Sequence, residues 1–152
     1  MGNINLLSFS QKYIIFFIFL YFICPSTNGQ TSIKKDKTNL SFLLGDWKGE
    51  SNCVGNNPSC HDEIVVYHIT NPGNKPDSVT LAADKIINGK PESMYILEFR
   101  YDGKKKTLVN EFRKNSYRGL WEYKVFDTLM TGTLKLLPDK EIVRRIKVTK
   151  VN

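Results

Sequence analysis

The sequence predicts an all-β domain, an antiparallel up-and-down meander closed into a β-barrel of about eight strands and led in by one short helical turn. Three observations predict it. From Asp46 onward, short runs of β-branched and aromatic residues alternate with turn residues at a spacing of about ten. No segment sustains a helical period except Asn39 to Leu44, where Leu40, Leu43 and Leu44 fall on one side. A meander of this length would leave an exposed edge at each end, and closure into a barrel removes both.

Residues 1–29 are expected to be a signal peptide. Lys12 precedes the unbroken apolar run Tyr13 to Cys24, which ends at Pro25 and is followed by Ser26-Thr-Asn-Gly29. That is the charged, apolar and cleavage-site order of a secretory leader. The run falls short of the roughly 20 residues needed to span a bilayer, so export is expected, to a periplasmic or extracellular location, without stable membrane insertion. A lipid-modified Cys24 is disfavoured by bulky Ile23, which stands where a processing enzyme wants a small residue. Residues 30–39 form a polar lead-in, and residues 40–152 one barrel domain.

Loss of the leader takes the formal charge from +7 to +6, because Lys12 is its only charged residue. Neither Lys34, Lys35 and Lys37 nor Lys104-Lys-Lys106 is interleaved with aromatic residues as a nucleic-acid groove would be, so no nucleic-acid partner is expected. The mature part keeps Cys53 and Cys60, and an exported chain meets oxidising conditions, so a disulfide across that loop is expected. The spacing is not that of a redox pair, and a zinc site would need two further ligands.

The strands are expected at Trp47 to Cys53, Glu63 to Thr70, Ser78 to Ile87, Ser93 to Tyr101, Lys106 to Phe112, Gly119 to Phe126, Leu129 to Leu137 and Glu141 to Val151. Turn residues separate them: Gly55 to Pro58, Asn71 to Pro76, Asn88 to Pro91, Asp102-Gly103, Asn115-Ser116, Asp127-Thr128 and Pro138-Asp139. Alternation assigns the faces. If Trp47 points inward, so do Gly49 and Ser51. The same test turns in Val79, Leu81 and Ala83; Tyr95, Leu97, Phe99 and Tyr101; Leu108, Asn110 and Phe112; Trp121, Tyr123 and Val125; and Met130, Leu134 and Leu136. On the last strand Ile142, Arg144, Ile146 and Val148 share a face, which leaves a guanidinium among isoleucines that must stack or pair. The expected partner is Trp47, with Arg144 across the indole and its donors on carbonyls of the Leu40 to Gly45 turn.

A helical turn leading into Gly45-Asp46-Trp47, a β-meander, and an arginine on the final strand resemble the lipocalin and fatty-acid-binding group, the calycins. Leu44 to Lys150, with its Cys-His-Asp-Glu segment at positions 60–63, Ala83-Asp-Lys-Ile-Ile-Asn-Gly-Lys-Pro-Glu92 and Thr131-Gly-Thr-Leu134, is similar to small exported bacterial lipocalin-like proteins. The resemblance implies that Gly45, Trp47 and Arg144 are structural residues closing one barrel end. It also implies a small apolar molecule held inside. This chain is shorter than a typical lipocalin and has no evident long helix after the barrel.

His61, Asp62, Glu63 and His68 are the one cluster of catalytic or metal-binding types. His61 and His68 face opposite sides of a regular strand, and Asp62 and His68 would sit roughly 20 Å apart, so the cluster is read as capping beside the disulfide, with no metal expected. Glu98, Glu111 and Glu122 are read as solvated partners of neighbouring cations. Two histidines and no nucleophile elbow leave no catalytic residue to name, and with no Gly-rich phosphate loop no cofactor is expected. The barrel interior remains. Tyr95, Phe99, Tyr101, Phe112 and Tyr123 as walls, with Asn110 and Arg144 as polar handles, describe a site for a small, partly apolar or anionic ligand. The alternative is a barrel filled by those aromatics, acting as a structural or interaction module. A third reading, an enzyme using the His61 to His68 cluster at the mouth, predicts convergent titratable groups.

Overall fold

A computed structural model describes residues 39–55 and 58–151. The expected leader, the lead-in before Asn39, and Asn56 and Asn57 of the first loop lie outside the described residues. A 3-10 turn at Ser41–Leu43 is followed by β1 (Gly45–Cys53), β2 (Glu63–Thr70), β3 (Ser78–Ile87), β4 (Lys90–Asp102), β5 (Thr107–Lys114), β6 (Tyr117–Phe126), β7 (Leu129–Leu136) and β8 (Glu141–Lys150). Each strand pairs antiparallel with the next and β8 pairs with β1, so the described strands form one closed barrel.

Local chemistry explains the joints. The Asn39 side-chain oxygen accepts the Ser41 N–H at 2.9 Å and starts the 3-10 turn. The chain then swings into β1 at Gly45, whose φ of 110° suits a residue with no Cβ. Asn88 and Gly89, with φ of 51° and 78°, make a two-residue hairpin in which Ile87 already faces Lys90. β4 therefore begins before Ser93 and contains Pro91, which the sequence reading assigned to the turn. A proline is tolerated there because β5 does not pair with that part of β4, so one side of the strand is an edge.

The expected alternation holds along most strands. Trp47 and Ser51, Val79, Leu81 and Ala83, Phe99 and Tyr101, Leu108, then Trp121, Tyr123 and Val125 are all buried. β2 adds Val65, Tyr67 and Ile69. On β8 the register shifts between Leu134 and Lys135 of its partner, which sets Ile142 opposite Lys135 and starts the inward set at Arg144.

One seam of the barrel is thin. β4 and β5 share three rungs, Asp102 with Thr107, Tyr101 with Leu108 and Arg100 with Val109. Continued at the same register, the ladder would set Glu98 against Glu111, and like charges directly opposite repel. Instead Asn110 Nδ2 donates to the Glu98 carbonyl at 2.8 Å, a side chain standing in for a ladder bond.

The closed end corrects the expected arginine pairing. Trp47 is fully buried under the 3-10 turn and donates its indole N–H to the Leu43 carbonyl at 2.9 Å. The cation over its ring is Lys150, at 5.8 Å from the centroid, whose Nζ also donates to the Phe42 carbonyl at 2.8 Å. Arg144 lies opposite Cys53 in the β1–β8 register, while Trp47 lies opposite Lys150. Six residues of strand, roughly 20 Å, separate the two. They cannot seal the same end.

Candidate functional site

The far end of the barrel carries the site that Arg144 helps to build. β1 ends there at the Cys53–Cys60 disulfide, with an S–S distance of 2.03 Å. Asp62 accepts the Cys53 N–H at 2.7 Å, capping the strand beside the bridge as expected. The returning chain presents the His61 carbonyl and then the Glu63 carboxylate to Arg144. Nη2 donates to the His61 carbonyl at 3.1 Å; Nη1 donates to Glu63 Oε2 and Ser51 Oγ, both at 2.9 Å, and reaches the Ser51 carbonyl at 3.2 Å. The Arg144 and Glu63 side chains are only 17% and 23% exposed, so their attraction is screened far less than that of a surface pair.

Behind the ion pair stand three phenols. The Tyr123 hydroxyl donates to that of Tyr67 at 3.3 Å, and the Tyr95 hydroxyl stands beside both. Burial pushes all three hydroxyls above the ordinary phenol range, so they stay neutral donors and acceptors at physiological pH. Their rings are braced from every side. Trp121 stacks on Tyr123 at 5.9 Å with an interplanar angle of 6°, Phe99 meets Tyr123 edge-on at 5.5 Å, and Tyr95 lies 5.9 Å from Trp121. Gly132, opposite Tyr123 on β7, makes room for that ring, because a Cβ there would overlap Tyr123 Cδ1.

Between the ion pair and the phenols is a cavity of about 130 Å³, lined by Ser51, Glu63, Tyr67, Tyr95, Trp121 and Arg144, with Val65 and Met94 completing the wall. At roughly 30 Å³ per water it has room for about four waters, well below the roughly 300 Å³ of a small pocket for a drug-sized ligand.

Of the expected lining, the structure brings Tyr95 and Arg144 to this cavity and places the rest elsewhere. Phe99 and Tyr123 are packed into the core beneath it. Tyr101 sits at the opposite end, edge-on to Phe42 at 5.6 Å. Asn110 and Phe112 lie on β5 beside the thin seam, and Asn110 Oδ1 is buried with no hydrogen-bond partner. Val65, Tyr67 and Met94 are lining residues the sequence reading did not name, and Glu63, read there as part of the capping cluster, lines the cavity as the partner of Arg144. Alternation along β2 would have found Val65 and Tyr67. Met94 is the extra residue where the β3–β4 register shifts past Ala83, and no sequence signal marks that shift.

The other titratable groups disperse. His68 sits on the outer face, with Nδ1 2.7 Å from Asp46 and Nε2 3.3 Å from Asp84, which in turn accepts from Ser93. Glu111 pairs with Arg118 and Glu122 with Lys135 on neighbouring strands, whereas Glu98 pairs with Lys75 of the β2–β3 loop. Among the described residues, no group of three or more His, Cys, Asp or Glu is placed to hold one metal ion, and no helix is long and apolar enough to cross a membrane. No family model and no curated protein matches the chain, so the geometry alone carries its functional reading.

Proposed function

We propose that this chain is an exported, non-catalytic, lipocalin-like binding protein that takes one compact, partly apolar molecule into the cavity at its disulfide end. The observation that carries the reading is the company Arg144 keeps. A partly buried ion pair contributes little net stability compared with apolar packing of the same volume. Here it faces a cavity with neutral phenols opposite and an indole alongside. That set offers hydrogen bonds to one polar group and apolar contact to the rest of a small ring or short chain. The volume argues against a long acyl chain.

The filled-core module is the second reading, favoured by the full burial of Trp47, Tyr67, Phe99 and Tyr123 through the middle of the barrel. Native mass spectrometry on protein purified from its host separates the two. A retained small mass, lost on denaturation and absent from Ser51→Leu, which fills the cavity, supports a carrier. A bare chain, together with tryptophan fluorescence unmoved by phenol, indole and benzoate at millimolar concentration, would establish the filled-core module.

A further inference from the structure

A broad concavity lies on the outside of the barrel. A trough of about 700 Å³ runs over β7, lined by Lys105, Thr107, Glu122, Lys124, Thr131 and Thr133, with Arg145 on its far wall. Its shape follows from the strand pattern. The outward residues of β7 at its centre are threonines, while those opposite them are long: Lys124 and Lys147 face Thr131, and Glu122 and Arg145 face Thr133. Low residues on β7 and long ones on its neighbours leave a depression, and because Lys105 and Thr107 on the β5 side also line it, it spans β5 to β8, roughly 14 Å across three strand spacings. That width fits a single extended chain.

The charge of the trough is one-sided. Its one lining acid, Glu122, is held by Lys135 at 2.7 Å. Lys105 stands 3.8 Å from Asp102 at the trough's end, and Glu50 lies opposite Lys147 on the β1 side. Lys124 and Arg145 form no ion pair among the described residues; Lys124 instead lies 5.5 Å over the Phe126 ring. β7 is hydrogen-bonded along its whole length on both sides, so an occupant cannot add as a strand and must be read by side chains. The floor offers hydroxyls and no aromatic face for stacking bases, which disfavours single-stranded nucleic acid.

We propose that this trough binds a linear anionic polysaccharide, with Lys124 and Arg145 taking its acidic groups and Thr131 and Thr133 its hydroxyls. The site is independent of the cavity inside the barrel and uses none of its residues.

The test is calorimetric titration of the mature chain with a polyuronate, with neutral dextran and oligothymidylate as comparisons, at low and physiological salt. The expected result is polyuronate binding that weakens with salt and exceeds binding to the other two polymers. Lys124→Ser with Arg145→Ser should weaken it about tenfold, two exposed charge contacts being lost. Lys90→Ser with Lys114→Ser, an equal charge change at the disulfide end of the barrel, should leave it unchanged. Thr131→Val with Thr133→Val should weaken polyuronate binding while the net charge stays constant. Equal losses from both lysine-containing pairs would reduce the attraction to net charge and overturn the site. Oligothymidylate binding as tight as polyuronate would overturn the class of ligand, and no polyuronate binding at low salt would overturn both. The substituted side chains lie on the outer face, so unchanged unfolding midpoints establish that each variant is folded.

Discussion

The two ends of this barrel are closed by opposite means. At the 3-10 end an indole is buried whole, its N–H goes to a backbone carbonyl, and a lysine covers the ring from outside. At the disulfide end the polar groups come inside: a guanidinium is held by a carboxylate, a hydroxyl and backbone carbonyls, and a cavity is left beside it. Apolar closure removes surface from water and tolerates no gap. Polar closure needs each donor matched and gains little net stability, but it leaves room that another molecule can use. The 3-10 end is thus closed by apolar packing, and the proposed binding site lies at the other end.

The comparison breaks first at Trp47. Trp47→Ala removes the largest side chain of the closed end and leaves a void roofed by Leu40 and Leu43. The expected loss is about 4 kcal/mol, within the usual range for a core tryptophan and a large share of a small domain's stability. Urea unfolding measures it, and a loss near 1 kcal/mol would mean that the 3-10 turn collapses into the gap.

At the other end the effect depends on which partner is removed. Glu63→Gln strands the Arg144 charge in a partly buried site and should cost about 2 kcal/mol, less than for a fully buried pair because both side chains keep some contact with water. Replacing both, Glu63→Leu with Arg144→Met, should restore most of that loss, since no charge is left to desolvate. A double-mutant cycle reads the coupling directly. If the double variant is as unstable as the single, the pair is a structural strut and the two ends are closed for the same purpose. Lys150→Met sharpens the contrast with a smaller effect, about 0.5 kcal/mol, the value of an exposed cation against an aromatic face.

Much of the architecture was legible in the sequence because each strand carries its own signal. Val79, Leu81 and Ala83 declare a face by alternation, and Asn88-Gly89 declares a two-residue hairpin by its tolerance of positive φ. What could not be read is how strands meet at a distance. Arg144 was rightly expected among inward residues, but its partner depends on the β1–β8 register, which decides between Trp47 and the Ser51–Glu63 pair and is fixed by the closure of the whole barrel. Lys150 continues the alternation of Ile146 and Val148, but a lysine at the last position of a strand reads as solvated, although it covers Trp47. The interior aromatics were expected to line a cavity. Tyr123 and Phe99 fill it, as the alternative reading had it, and the register that sets Gly132 opposite Tyr123 makes the room. The outer trough escaped notice for the same reason: its walls come from separate strands, and charges dispersed along a sequence give no sign of converging.

The smallest expected effect lies on the outer face, where His68 links Asp46, near the closed end of β1, to Asp84, near the disulfide end of β3. The hydrogen bond that Asp46 accepts from the imidazole is the main cause that raises the His68 pKa above its ordinary value near 6.5, with Asp84 adding to it and desolvation opposing. A raised pKa means that the folded state holds the proton more tightly than the unfolded chain. The stabilisation is therefore fully present below pH 6.5 and is lost as the pH rises through the raised value. His68 is 42% exposed, so solvent discounts the gain to that of a surface pair. Thermal unfolding of the wild type should fall by about 2 °C from pH 6 to pH 8 relative to His68→Gln, a shift consistent with a fraction of a kcal/mol in a domain of this size. If the two proteins follow the same pH profile, His68 does not join the ends, and the contrast between them rests on the interior alone.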